Sequence, residues 1–567
     1  MTSNEVNRRA FLSAVVQVAA VTVLEMEPGI RALADEAPSE AREPHLSSML
    51  IGNYLRGAPC GIAWIVADSA AFVLDTGFPY VAGTAAADSS YHAYRFVRDG
   101  AEIMFQWGRV GDNAVARLSS DRPMDLQLSL SSGWPGWVST FEMMQDGANG
   151  RAQSAVGLLE WTLRISPGAE SVGPSTMAVT LIPGTAVRLI AGLSGSTFPA
   201  FESIDGILDE ARGRYRATRA KAEGDLLDFV GAITDNMNNS RLYANDNHRL
   251  AHSVCRDWSS EPNGSPYFCW DSFLTANLAA IGDPVVARNT VRAMLSYQST
   301  EGLVPNYAHW NDGISNDRSQ PPVASLCIWK MHQRYPDDRE FLEEIYSRLV
   351  KWHDWWPQYR NNKRDGLLEW GSSTGEFQAA QYETGWDDNL HYAGVSMRGT
   401  TMDAYSIDLS SMWSMDAHYL ALIAGFLGHR GDAVRFHREH AEMNRRIDDR
   451  LWNSEIGCYC SRFWNDIGFH QGGFLTRLTP MNFYPLAAGV PDRERAKRVL
   501  QVLMDPGKFW GNISCLPWHM TIPTITNRSI GAAMYGGLRT ILSGKASGNT
   551  HHPRKSPSLR DEMSIFS

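Results

Sequence analysis

The chain has 567 residues, enough for several domains at roughly 150 residues each. Its hydrophobic share of 44% and charged share of 20% are ordinary for a soluble globular protein, and nothing past the N-terminus approaches the roughly 18 apolar residues of a membrane span. A net charge of −10 and a pI near 5.9 argue against nucleic acid as a partner, because phosphate binding wants a basic face.

The N-terminus reads as an export signal over residues 1–34. Arg8-Arg9 precede Phe11-Leu12, an apolar run reaches Leu24, and Ala32-Leu33-Ala34 offers small residues for cleavage. The pattern resembles a twin-arginine signal, so the export machinery is an expected partner and the periplasm or the outside the expected compartment. Seven cysteines (60, 255, 269, 327, 458, 460, 515) are scattered and odd in number, and no Cys-x-x-Cys pair suggests zinc. Most are expected as buried fillers, with room for one disulfide in an oxidising compartment.

From 49 to 203 the grammar is that of strands. "CGIAWIVADSAAFVLDTG", "AEIMFQWGRV", "MDLQLSLSSG", "LEWTLRIS" and "TMAVTLIPG" are short, partly alternating runs separated by Gly, Pro, Ser and Asp. Strands at this spacing predict a β-sandwich. No acidic pair or His cluster stands here, so the domain is expected to support the second half. At 204–230 the chain turns to charged helix, a linker into a helical domain at 231–530. In "DDREFLEEIYSRLVKWHDWW", Phe341, Ile345, Leu349, Trp352 and Trp356 recur every three or four residues as one face. Asp337 and Asp338 are expected to cap that helix. "DAVRFHREHAEMNRRIDDRLW" repeats the period through Ala433, Phe436, His440, Met443, Ile447 and Leu451, after a helix that Gly428 closes. Long helices with no strand between them exclude a doubly wound sheet and fit a ring of helical hairpins, with chemistry in the loops at one end. Residues 531–567 are polar, basic and proline-bearing past Gly544, and no fold is expected there.

Several inter-helical loops carry unusual residues. Trp270-Asp271 stand where a helix begins, and Asp271 as an N-cap is the simpler alternative. Ser319-Gln320 precede two prolines that are expected to start a helix. Glu369-Trp370 follow, and Asp408 begins another helix. Between these lies "QYETGWDDNLHY", where Glu383, Asp387 and Asp388 fall within six residues around Trp386. Such crowding suits either an exposed turn or a catalytic acid kept protonated by burial and neighbouring charge.

The ordered set, Trp-Asp, then Ser-Gln-Pro-Pro, then acid-Thr-Gly-Trp-Asp-Asp, then Asp-Leu-Ser, resembles the helical-toroid glycoside hydrolases. That group includes the processing α-glucosidases, their bacterial relatives and the mannosylglycerate hydrolases, with trehalases more distant. The resemblance covers Tyr267 to Pro523, including "PMNFYPLAAGVPDRERAKRVLQVLMDPGKFWG". It implies an α/α toroid of six hairpins behind a β-sandwich, the last hairpin here incomplete, and cleavage of terminal α-linked glucose or mannose with inversion. Carried over by motif, Asp387 is the general acid, Trp270 and Asp271 hold the terminal sugar, and Gln320 and Trp386 line the same subsite. The residues agree with this: Trp386, Glu383 and Asp388 are placed to raise the pKa of Asp387, as a proton donor to a leaving oxygen requires.

Inversion also needs a carboxylate base about 6.5–9.5 Å from the acid. The resembled family keeps its base near the C-terminus, but here the resemblance fades near Thr526, and past Asp505 the side-chain carboxylates are Asp561 and Glu562. Glu369 and Glu383 are the substitutes that the sequence offers. The expectation is a hydrolase impaired by loss of the base, through a truncated or shifted reading frame; the alternative is a non-catalytic carbohydrate-binding protein on the same scaffold. No cofactor is expected, and no metal: the acidic loop Tyr243 to Arg249 lacks the ligand spacing of a helix–loop–helix calcium site.

Overall fold

The computed structural model describes residues 61–509, apart from 67–69, 76–79, 82–83, 87–89, 99, 111–112, 130–137, 155–156, 194, 219–226, 240, 245–248, 253–266, 310–312 and 388–389. The expected signal at 1–34, the tail at 531–567, most of the acidic loop after Tyr243, and Asp388 lie outside the described residues.

The first half is antiparallel β-structure: β1 (Gly61–Val66), β2 (Ala70–Asp75), β3 (Tyr80–Val81), β4 (His92–Arg98), β5 (Ala101–Val110), β6 (Asn113–Ser120), β7 (Met124–Ser129), β8 (Val138–Met144), β9 (Gly147–Ser154), β10 (Gly157–Ser166), β11 (Glu170–Gly173), β12 (Thr176–Leu181) and β13 (Val187–Leu193). An eight-stranded sheet runs β3-β4-β5-β6-β13-β10-β9-β8, and a three-stranded sheet runs β11-β12-β7. The two share one apolar core, in which Ile103, Phe105, Trp107, Leu163 and Leu189 meet Leu126, Leu128, Met177 and Val179. Alternation along a strand explains what covers the other face of the large sheet. Ala114, Ala116 and Leu118 of β6 point into this core. Val115 between them points the opposite way, against Ile204, Leu208, Ala211 and Tyr215 of helix α1 (Ile204–Thr218).

Helix α2 (Leu227–Asn239) joins the halves through buried polar groups. Asp235 accepts from the Tyr215 hydroxyl at 2.6 Å, and Asn238 donates to the Ala85 carbonyl at 2.9 Å.

The helical half continues with α3 (Cys269–Ala279), α4 (Pro284–Ser296), α5 (Ala324–Arg334), α6 (Arg339–Tyr359), α7 (Phe377–Glu383), α8 (Ile407–Leu427), α9 (Arg430–Leu451), α10 (Tyr484–Ala487) and α11 (Arg493–Leu503). Two rows are formed: α3, α5 and α8 touch in succession, while α4, α6 and α9 pack outside them. The sequence dictates which is which. Sixteen residues of α8 are buried, nearly all round its circumference, as an inner helix requires. In α9 the buried residues are Phe436, Met443, Ile447 and Leu451, a single stripe, so its polar face meets water. In α6 the anticipated face of Phe341, Ile345, Leu349, Trp352 and Trp356 is buried, each side chain contributing about 1.5–3 kcal/mol. His353 ties all three together, its Nδ1 2.8 Å from Asp416 of α8 and its Nε2 3.3 Å from Glu439 of α9.

Of the six hairpins expected, the described residues carry α3–α4, α5–α6 and α8–α9, with α2 before them and the short α10 and α11 after. Gly428 ends α8 in the left-handed region at φ 88°, as its position suggests. Three local expectations are corrected. Asp338 stands at the N-cap of α6 but makes no capping bond; its carboxylate is turned to His332 Nδ1 at 2.7 Å. Asp271 is not an N-cap: Phe268 holds that place and Asp271 lies inside the first turn of α3. Pro321 and Pro322 stand ahead of the N-cap Val323 rather than inside α5.

Cys269, Cys327, Cys458 and Cys460 are buried free thiols. No helix among the described residues is long and apolar enough to cross a membrane, and among them no group of three or more His, Cys, Asp or Glu is placed to hold a metal ion.

Candidate active site

The loops leading into the inner helices meet at one end of the toroid, and a chain of hydrogen bonds shows it. Gln320 Oε1, just before α5, accepts the Trp270 N–H of α3 at 3.2 Å. Its neighbour Ser319 donates its N–H to Glu383 at 2.9 Å. Glu383 also accepts the Gly371 N–H at 2.7 Å, and Trp370, one residue earlier, donates its indole N–H to Asp408 of α8 at 3.1 Å.

The acid-bearing segment leaves α7 through Thr384 and Gly385. Gly385 has φ 70°, and a Cβ there would stand 2.7 Å from the Trp270 indole, so both the turn and the close approach require glycine. Thr384 Oγ1 accepts the Trp386 N–H at 2.9 Å, which fixes the next residue. The Trp386 ring then meets Trp270 edge-to-face, with centroids 6.2 Å apart. Asp387 follows and feels Asp271 across the gap. Burial, and after it the Asp387 charge, push the Asp271 carboxyl from 3.8 up to about 7. The positive N-terminal end of α3 works against this, but a dipole is worth about 0.3–1 kcal/mol, whereas burial moves a pKa by as much as about 3–5 units. Burial wins.

The structure therefore brings Trp270, Asp271, Gln320, Trp386 and Asp387 together. Trp270 and Gln320 are buried at 6% and 4% exposure, while Asp271, Trp386 and Asp387 are only half-buried. Two indoles beside two carboxyls can stack on a pyranose face and bond its hydroxyls.

Two sequence expectations fail here. Glu383 was expected to perturb Asp387 and to stand in as a base; the second role is closed to it. Its side chain is fully buried and turned away, held by Arg360 Nε at 2.6 Å and Nη2 at 2.8 Å besides the two backbone N–H groups. Four donors occupy its two oxygens inside a closed pocket of protein, away from any attacking water. Glu369 is the second failure. It too is fully buried, with Oε2 accepting the Asn362 N–H at 2.8 Å and Oε1 without a protein partner. Burial raises its pKa from 4.5 to about 8, outweighing the bond from Asn362. A group that is enclosed and protonated at neutral pH is no base. Asp388, the other expected perturber, is outside the described residues.

The Glu369 proton has a measurable consequence. The unfolded chain releases it near 4.5 and the folded one holds it to about 8, so stability is lost as pH rises between those values. Glu369→Gln lacks this slope and can still accept from Asn362. We expect the variant to melt like the parent at about pH 4.5 and well above it at about pH 8.5, the gain reaching at most about 4 kcal/mol. Equal melting temperatures at the higher pH would show that Glu369 is ionised in the fold.

Sequence reading missed the support of this site. Asp408, noted only as a helix start, is 1% exposed and accepts from Trp370 and from the Tyr392 hydroxyl. Burial raises its pKa to about 6, the two donors opposing. Burial, with the Asp408 charge behind it, raises the pKa of Tyr484. Arg360 was legible in principle. It lies four residues beyond Trp356, on the continuation of the apolar stripe of α6, where a cation must have a buried partner.

Residues 266–526 match the model of the mannosylglycerate hydrolase MGH1-like glycoside hydrolase domain. Among known proteins the chain is similar to a mannosylglycerate hydrolase of Rubrobacter radiotolerans, at 24% identity over 317 residues, 42% of this chain and 68% of that one. Among solved structures, a bacterial glucoamylase complexed with acarbose aligns over 81% of this chain and 78% of its own, with a TM-score of 0.51 and 9% identity; this likeness is one of fold. The GH63 mannosylglycerate hydrolase of Thermus thermophilus, in complex with glucose, aligns over 45% of this chain and 72% of its own at 17% identity, with a TM-score of 0.37.

Proposed function

Since residues 266–526 form a glycoside hydrolase domain of the mannosylglycerate hydrolase MGH1-like kind, we propose that this chain hydrolyses terminal α-linked glucose or mannose of oligosaccharides or small glycosides, with inversion. The observation that carries the reading is the placing of Asp387 within electrostatic reach of Asp271 beside Trp270 and Trp386, where two neighbouring carboxyls favour keeping one proton between them. Asp387 donates a proton to the glycosidic oxygen as the bond to the anomeric carbon breaks. Trp270 and Trp386 pack on the sugar, Asp271 accepts from its hydroxyls, and Gln320, whose Oε1 is taken by Trp270, donates through Nε2. Water adds to the opposite face of the anomeric carbon and gives its proton to solvent, because neither Glu369 nor Glu383 can take it, so an α-glycoside yields a β-sugar. The ring of six hairpins belongs to the same proposal.

A second reading has its own observation. Glu369 and Glu383, the two substitutes for the base, are both withdrawn from the cleft. A cleft without a base binds sugar and turns nothing over, which is the carbohydrate-binding alternative. Aryl α-glucosides, aryl α-mannosides and mannosylglycerate, assayed beside calorimetric titration of glucose and mannose, separate the two. Turnover supports the hydrolase, binding alone the binding protein, and neither in a folded sample removes both.

We extend the proposal to export on the Arg8-Arg9 signal into the periplasm or outside. Replacing both arginines with lysine is expected to leave the protein in the cytoplasm on cell fractionation; unchanged export by the twin-arginine route would falsify this part.

A further inference from the structure

Glu383 and Tyr392, the ends of the segment that carries Trp386 and Asp387, stand nine positions apart, and both are tied to buried carboxylates. At the upstream end Glu383 itself is the tie, through Arg360, Ser319 and Gly371. At the downstream end the Tyr392 hydroxyl donates to Asp408. One dipeptide spans both ties: Gly371 donates its N–H to Glu383 at 2.7 Å, and Trp370 donates its indole N–H to Asp408 Oδ1 and Oδ2 at 3.1 and 3.2 Å. His391 adds a neutral contact, with Nε2 3.0 Å from Ser461 Oγ and Nδ1 3.0 Å from Thr479 Oγ1.

We propose that Asp408 is a positioning residue for the proton donor: through Tyr392 and Trp370 it sets where Trp386 and Asp387 stand, without touching substrate. The claim rests on the reading of Asp387 as the acid, and adds to it what holds the acid in place. Placement matters because a displacement of about 1 Å in a reacting group costs as much as about 100-fold in rate. Two donors from different parts of the chain converge on Oδ1, the Trp370 indole reaching Oδ2 as well, and an amide that keeps its oxygen at Oδ1 turns its NH2 against that indole N–H.

The test compares the full-length parent with Asp408→Asn, with Tyr392→Phe, which removes a single hydroxyl, and with the double variant. Three quantities are read: steady-state turnover of an aryl α-glycoside, calorimetric Kd for the free monosaccharide, and amide hydrogen exchange by segment. The expected result is kcat lower by about 10- to 100-fold in each single variant, with KM and Kd within about threefold of the parent. Exchange accelerates at residues 384–392 and not in α6 or α9, and the double variant is no worse than Asp408→Asn alone, because both act through one tie. Unchanged exchange at 384–392 in both single variants overturns the proposal. So does acceleration spread evenly over the helices, which marks general loosening, or a loss of kcat matched by an equal loss of sugar affinity. A parent without turnover sinks the hydrolase reading instead, and the exchange data then decide the positioning claim by themselves.

Discussion

Asp387→Asn lowers turnover of an α-glycoside by about 10²- to 10⁴-fold and leaves sugar binding in place; this is the largest single effect expected of any substitution. The amide has the shape of the acid and no proton to give to the leaving oxygen. A second consequence distinguishes a donor inside this cleft from a merely nearby residue. Burial, followed by the Asp387 charge, holds the Asp271 carboxyl at about 7. Removing the charge removes the second cause and leaves the first, so Asp271 in the variant titrates below the parent value and above the ordinary 3.8. Where the ionised carboxylate is the form that accepts from sugar hydroxyls, monosaccharide affinity rises through this titration as pH increases. Calorimetric Kd measured from about pH 5 to about pH 8 should show the rise at lower pH in Asp387→Asn than in the parent. Coincident profiles would mean that the two carboxyls do not share a site.

Arg360→Met has the largest expected loss of stability. Glu383 is 0% exposed and Arg360 1%, so the pair is sealed from water. Breaking such a pair from one side leaves a buried charge and costs about 3–5 kcal/mol, several times the value of an exposed ion pair. Two backbone N–H groups remain to hold the carboxylate, at 2.9 and 2.7 Å, which favours the lower end of that range. The double variant Arg360→Met with Glu383→Gln takes away the stranded charge and should recover much of the loss, since replacing both members of a buried pair is often close to neutral. Denaturant unfolding of parent, single and double variants gives the comparison. A single variant within about 1 kcal/mol of the parent would show the pair to be hydrated.

The segment around Asp387 shows how far the residues alone could be read. Its place in the candidate site was legible because the crowding of acids around Trp386 falls within an ordered set of loop motifs, and order along a chain survives when individual motifs are weak. The geometry of Glu383 was not legible. Four residues from Asp387 in sequence, it sits at the C-terminal turn of α7, which directs its side chain inward to Arg360, 23 residues upstream. No local pattern couples those positions. The helices were readable from their 3.6-residue period, as the buried stripe of α6 shows. Strands were less so: β9, "GANGRAQS", has almost no apolar side chain, and pairing with β8 and β10 rather than propensity makes it a strand. Asp338 followed the same logic as Glu383, since a buried histidine six residues earlier outcompeted the helix end for its carboxylate.

The central claim is that Asp387 drives an inverting hydrolysis, and the anomer first released tests it most directly. Proton NMR of the nascent sugar, recorded at high protein concentration before mutarotation, reads that anomer while Asp387→Asn serves as the blank. The account predicts β-glucose or β-mannose from the α-glycoside, and none from the blank. The α-anomer appearing first, release at the parent rate by Asp387→Asn, or no release above the blank would contradict it.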